Sequence, residues 1–173
     1  PDHQAISRWL KPKRSGYYAL DGTWLKYRGE DIVLLIIFDV ETLDTVAYHV
    51  ADDETEESYT ALLKLAWPEI SLGMKGLFGD GDLGLMAALE KLCPGVPFQL
   101  CVFHKYARIG QLIPFKYSKN ALDLEIKERV EKVLFATSKD AATSALRDLE
   151  LFAKENKSYA KLHKAIAVLH NNF

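Results

Sequence analysis

Tyr17-Tyr18-Ala19-Leu20-Asp21-Gly22 is a short apolar run ending in a carboxylate and a glycine, and Leu77-Phe78-Gly79-Asp80-Gly81 repeats that form. A strand that ends in a lone Asp places its carboxylate at a sheet end, within reach of a metal ion or ligand. Two such strands side by side bring Asp21 and Asp80 together. That is the minimum geometry for a two-carboxylate Mg²⁺ or Mn²⁺ site.

The neighbouring segments give the two runs a sheet to sit in. Trp24-Leu25-Lys26-Tyr27-Arg28 extends the first run past a kink expected at Gly22. Asp31 to Val40 is β-branched and nearly continuous, as in a central strand covered on both faces. Thr45 to Val50 alternates and returns antiparallel after the polar turn Glu41–Asp44. An acidic start, Asp52 to Glu57, opens a helix, with Asp53 and Glu56 at capping-box spacing. Tyr59, Leu62, Leu63 and Ala66 share one face, and Pro68 is expected to end the helix. A strand over Lys75–Asp80, a helix over Asp82–Leu92 and a strand over Phe98–Val102 complete β-β-β-α-β-α-β.

Beyond His104 only helices are expected, near Phe103–Ile113, Leu122–Ala136, Lys139–Asn156 and Ser158–His170. Leu134, Ala141, Leu146, Leu149, Phe152 and Leu162 are candidates for their buried faces. The layout is α+β: a basic linker over 1–16, a mixed-sheet core over 17–110 and a helical addition over 111–173. Beginning on Pro1, the chain reads as a piece of something longer.

Charge follows the same division. Residues 1–16 hold four Lys/Arg against one Asp, 17–104 five against fifteen Asp/Glu, and 105–173 thirteen against eight. An acidic centre suits cations and basic flanks suit phosphates, although the net charge of −2 is not that of a dedicated nucleic-acid binder. The longest apolar run, Ile32–Phe38, is strand length, so no membrane association is expected. The first residues show no apolar leader segment. Two cysteines make no disulfide framework, which points to a reducing, intracellular setting.

Three motifs then carry a family resemblance. Tyr18-Ala19-Leu20-Asp21-Gly22-Thr23-Trp24 resembles the first catalytic Asp motif of Mutator-like transposases and their bacterial insertion-sequence relatives. Gly79-Asp80-Gly81-Asp82-Leu83-Gly84-Leu85, with a helix closing at Pro94-Gly95, resembles their second. Gln99-Leu100-Cys101-Val102-Phe103-His104 resembles their Gln-x-Cys-x-x-His signature. The resemblance covers residues 17–110. It implies a ribonuclease-H-like fold, whose element order matches, with Asp21 and Asp80 as metal-binding catalytic carboxylates. It also implies double-stranded DNA as partner, self-association, and cut-and-paste strand cleavage and transfer with two metal ions. The third carboxylate, a Glu in this group, is not found. Glu125, Glu128, Glu131, Glu150 and Glu155 lie inside the added helices, spaced with Lys and Arg as on solvated faces.

Other residues have weaker assignments. Asp82 stands where a helix N-cap would. Asp39 is expected beside Asp21, as a support or as a turn residue. Cys101 and His104 supply two of the four ligands zinc needs, so zinc is not expected. Cys101 reads instead as a strand residue beside the Asp80 strand, and His104 as a partner of a catalytic carboxylate or a phosphate. Lys105, Arg108, Lys11, Lys13 and Arg14 are the expected phosphate contacts. Trp24 could stack on a base or pack in the core. Two rival readings remain: another nuclease of this fold, and a non-catalytic DNA-binding or oligomerisation module descended from a transposase.

Overall fold

A computed structural model describes residues 6, 9, 10 and 12–170. The chain divides into two compact units, 1–100 and 101–173.

The first unit is built on a five-stranded sheet in the order β3-β2-β1-β4-β5. Its strands are β1 (Tyr17–Tyr27), β2 (Glu30–Asp39), β3 (Thr45–Ala51), β4 (Gly76–Gly79) and β5 (Phe98–Leu100). β1, β2 and β3 form an antiparallel meander, while β4 runs parallel to β1 and β5 parallel to β4. Helix α1 (Glu56–Ile70) follows β3, and α2 (Leu83–Leu92) joins β4 to β5. This is a ribonuclease-H-like α+β fold. The meander turns at Arg28-Gly29, where both residues have positive φ (53° and 93°). Two left-handed residues form the tight loop whose twist matches a hairpin. β1 therefore runs unbroken through Gly22, without the expected kink.

The core explains why β1 and β2 are long and apolar. Tyr18, Leu20, Val33, Leu35 and Ile37 point to one face and bury against Tyr59, Leu62, Leu63, Ala66 and Ile70 of α1. Each large side chain so buried contributes about 1.5–3 kcal/mol of transfer free energy. The other face of β2 carries Ile32, Leu34, Ile36 and Phe38, all half-buried. The expectation of a strand covered on both faces is corrected: an unbroken apolar run hides the alternation between a fully and a half-covered face.

Two helix details also differ. Thr55, not Asp53, caps α1, its hydroxyl accepting from Ser58 N–H at 3.2 Å. Pro68 lies inside α1, which continues to Ile70 with Ser71 N–H still reaching the Trp67 carbonyl. A proline so near the end removes a single bond of the last turn.

The second unit is all helix: α3 (Val102–Leu112), α4 (Ala121–Leu134), α5 (Lys139–Glu155) and α6 (Ala160–His170). Its core gathers Ile109, Ile113, Ile126, Val130, Val133, Leu149, Leu162, Ala165 and Leu169. Ala141, expected inside, is exposed. Asp123 is buried and accepts hydrogen bonds from the Ser118 and Tyr159 hydroxyls. Burial alone would push its carboxyl up, but those two donors and nearby Lys161 bring it below the ordinary value. Among the described residues no helix is long and apolar enough to cross a membrane.

Candidate functional site

The parallel ladder between β1 and β4 decides where the carboxylates fall. Its paired residues are Tyr17–Gly76, Tyr18–Leu77 and Ala19–Phe78. Continuing that register two places sets Asp21 opposite Asp80. The strands are still close one place further on, since a Cβ on Gly79 would lie 3.4 Å from the Leu20 carbonyl oxygen. Neighbouring strands stand about 4.8 Å apart, so on that continued register the two carboxylates would emerge as neighbours just past the end of β4. Asp21 is half-buried, and one of its oxygens accepts from Gly22 N–H at 3.1 Å. Asp80 is exposed and accepts from Asp82 N–H at 2.9 Å. Oxygen donors on two adjacent strands, open to water, suit a hard divalent ion that keeps most of its waters. Among the described residues no three His, Cys, Asp or Glu side chains already converge on one point.

Asp82 caps α2, its carboxylate accepting from Gly84 and Leu85 N–H at 2.7 and 3.3 Å. Asp39 is not beside Asp21. β2 runs antiparallel to β1, so Asp39 pairs with Tyr18 while Asp21 pairs with Ile36. That offset of three positions puts Asp39 about 10 Å away, toward the other end of the sheet. It is fully buried and accepts from the backbone N–H of Ser15, Glu41 and Thr42 at 2.6, 3.0 and 3.2 Å. Burial would raise its carboxyl, but those donors hold it below the ordinary range.

Cys101 lies past β5, at the half-buried N-cap position of α3 rather than in a strand. His104 and Arg108 are exposed on α3. Lys105 turns inward, its ammonium donating to the Leu169 carbonyl at 3.3 Å, and burial lowers its pKa. Arg14 is no open phosphate contact. Its guanidinium is almost wholly buried, paired with Glu69 and 3.8 Å from Asp44. Lys13 is exposed, and Lys11 lies outside the described residues.

Glu54 escaped the sequence reading. One of its oxygens accepts from Trp24 Nε1–H at 2.8 Å and the other from the Tyr59 hydroxyl at 2.9 Å. It sits on Gly22, where a Cβ would come within 2.0 Å of its carboxylate. Nothing in the acidic run Asp52–Glu57 singles it out, because its partners come from other segments.

Comparison with known proteins adds an independent line. The transposase for insertion sequence element IST2 of Acidithiobacillus ferrooxidans is 32% identical over 156 residues, 82% of this chain and 49% of that protein. The chain is similar to insertion-sequence transposases. A second such transposase, for IS6120 of Mycolicibacterium smegmatis, is 28% identical over 160 residues, 88% of this chain and 48% of its own. The chain thus spans about half the length of the curated transposases it matches. No family model matches it. Among solved structures, the dimeric HTLV-2 integrase catalytic core domain in complex with magnesium aligns over 77% of this chain and 83% of that one. Its identity is 18% and its TM-score 0.42. The trimeric form aligns over 69% and 85%, at 15% identity and the same TM-score.

Proposed function

We propose that this chain is part of the catalytic region of a DNA transposase of the Mutator-like and insertion-sequence type. The observation that carries the reading is the parallel β1–β4 register, which if continued two places would set Asp21 opposite Asp80 on a ribonuclease-H-like sheet. The two transposase relatives support it from outside the structure. Asp21 and Asp80 would hold Mg²⁺ or Mn²⁺. The bound ions would activate water, or a 3′-hydroxyl, for in-line attack on a phosphodiester and stabilise the leaving oxygen. Asp82 holds the start of α2, and through its N–H the Asp80 carboxylate, in a fixed direction. Exposed Lys13 and Arg108, with His104, are the described side chains we assign to double-stranded DNA. Such contacts position a backbone without reading sequence.

In this proposal the motif-bearing stretch 17–110 belongs to the core, although α3 within it packs with the helical unit, and 111–173 is an insertion within that core. A third carboxylate, a Glu, would arrive on a further helix laid over the half-buried face of Ile32, Leu34, Ile36 and Phe38. The whole enzyme would act in the cell as a homo-oligomer on transposon ends and target DNA.

The test is a Mn²⁺ titration by calorimetry on the parent, Asp21→Asn and Asp80→Asn. Binding by the parent that each single variant abolishes supports a shared site. Variants that bind like the parent, or a parent that binds nothing, would make both aspartates structural. DNA binding that ignores metal and survives Asp21→Asn would then favour the non-catalytic module.

A further inference from the structure

With Asp21 and Asp80 read as a metal-binding pair, we propose that Glu54 is the positioning residue that fixes their spacing. β4 ends at Gly79, so beyond Asp21 the first strand keeps a strand neighbour on one side only. That neighbour is β2, paired from Gly22–Leu35 to Tyr27–Glu30. On this stretch Glu54 does the fixing. Its carboxylate bridges Trp24, in the ribbon beyond Asp21, to Tyr59, which is fully buried in the core.

The same segment grips the second aspartate's stretch. A Cβ on Gly84 would lie 2.5 Å from the Glu54 carbonyl oxygen, 2.7 Å from the Thr55 carbonyl carbon and 2.9 Å from the Glu56 nitrogen. Gly84, four residues after Asp80, belongs to the turn that Asp82 caps. Residues 54–56 therefore press on both glycines, one directly after Asp21 and one just beyond Asp80. A side chain on Gly84 would meet the backbone of Glu54, Thr55 and Glu56, and one on Gly22 would displace the Glu54 carboxylate. The Tyr59 hydroxyl is held protonated, by burial first, then by Glu54, then by the charges of Asp80 and Asp82.

Glu54 itself points away from the metal position. Successive side chains on β1 leave opposite faces, so Asp21 is directed away from the face on which Gly22 meets Glu54. Its action is on geometry: it sets how far Asp21 can drift from Asp80 when an ion must be shared. Removing a direct outer partner of a metal ligand changes affinity by about 10–100-fold, and Glu54, whose oxygens bond Trp24 and Tyr59, acts one step further out, at the low end of that range.

The experiment is Mn²⁺ calorimetry on the intact chain and on Glu54→Ala, Trp24→Phe, Tyr59→Phe and the Glu54→Ala/Trp24→Phe double variant. Urea melts followed by tryptophan fluorescence run alongside. Glu54→Ala should weaken Mn²⁺ binding about tenfold. Trp24→Phe, which leaves every carboxylate in place and changes a half-exposed residue, should weaken it several-fold, about 3–5 times. The double variant should bind no worse than Glu54→Ala, because both remove one bridge. Melting shifts with unchanged Mn²⁺ affinity would make Glu54 structural and overturn the proposal. So would loss in Glu54→Ala with no loss in Trp24→Phe and Tyr59→Phe, since Glu54 would then be a ligand. A parent whose Mn²⁺ binding depends on Asp21 but not on Glu54 refutes the clamp alone. A parent that binds no Mn²⁺ refutes the metal reading and the clamp together.

Discussion

Replacing Asp39 tests the distinction between a carboxylate that builds the sheet and one that serves its end. Its two oxygens accept three backbone N–H groups, from Ser15, Glu41 and Thr42. Hydrogen bonds to a charged group contribute about 1.5–3 kcal/mol each. Three at full value would exceed what one site normally supplies, and two of them need not be lost. Glu41 and Thr42 are exposed, so water can take over their N–H groups. Ser15 is half-buried and its bond is the shortest of the three. We therefore expect Asp39→Ala to cost about 3–4 kcal/mol, most of it from Ser15 and the vacated side-chain space. Asp39→Asn, which keeps the shape and one acceptor, should cost about 2 kcal/mol.

All three tryptophans, Trp9, Trp24 and Trp67, lie in residues 1–100. Urea melts followed by tryptophan fluorescence thus report this unit alone. The sign of the pH dependence is set by the carboxyl's lowered pKa. Its contribution is complete above the unfolded value, near 3.8, and is lost as pH falls through the lower folded value. The gap between parent and Asp39→Asn should stay constant from about pH 7 to 5 and close below about pH 4. Mn²⁺ binding should be unchanged. A variant that melts like the parent at neutral pH, or one that keeps its fold and loses Mn²⁺, would refute the assignment of Asp39 to the frame.

Three further outcomes follow from the same geometry. Asp123→Ala removes the acceptor of the Ser118 and Tyr159 hydroxyls. It should cost the helical unit about 2–4 kcal/mol, seen as earlier loss of far-ultraviolet helix signal with the tryptophan transition unmoved. Coincident shifts of both signals would count against it. Gly84→Ala in an ordinary helix gains about 1 kcal/mol. Here the new methyl would meet backbone atoms at 2.5–2.9 Å, and the strain of about 1–3 kcal/mol should reverse the sign, so a raised melting midpoint would contradict the packing. Cys93 is buried, and burial pushes its thiol up, whereas Cys101 is half-buried. A thiol reagent should modify Cys101 first and Cys93 only on unfolding, and equal rates would contradict this order.

The order of elements was legible because its signals are local. Alternation in Thr45–Val50, the 3.6-residue spacing of Tyr59, Leu62, Leu63 and Ala66, and an Asp ahead of Leu83 each act within a few residues. Three local assignments were displaced by neighbours: the cap at Thr55, the tolerance of Pro68 in a last turn, and Cys101 at a helix start instead of in a strand. The phosphate contacts were less legible still. A Lys or Arg reads as solvated until something is seen to pair with it, as Glu69 pairs with Arg14 and the Leu169 carbonyl with Lys105.

By itself the sequence determined that a mixed sheet with two strand-end aspartates precedes a set of helices. Three motifs in it also carry a resemblance to a transposase family. Only the tertiary structure gave strand direction and register. The β1–β4 ladder, continued two places, runs toward Asp21 and Asp80, whereas the β1–β2 pairing sets Asp39 opposite Tyr18 and away from Asp21. The tertiary structure alone decided that β2 buries one face more than the other, and that Glu54 joins Trp24 to Tyr59 over Gly22. Periodicity is a property of neighbours along the chain. Register, cover and a bridge across 30 residues arise only once distant segments pack, where burial and steric fit choose the partner.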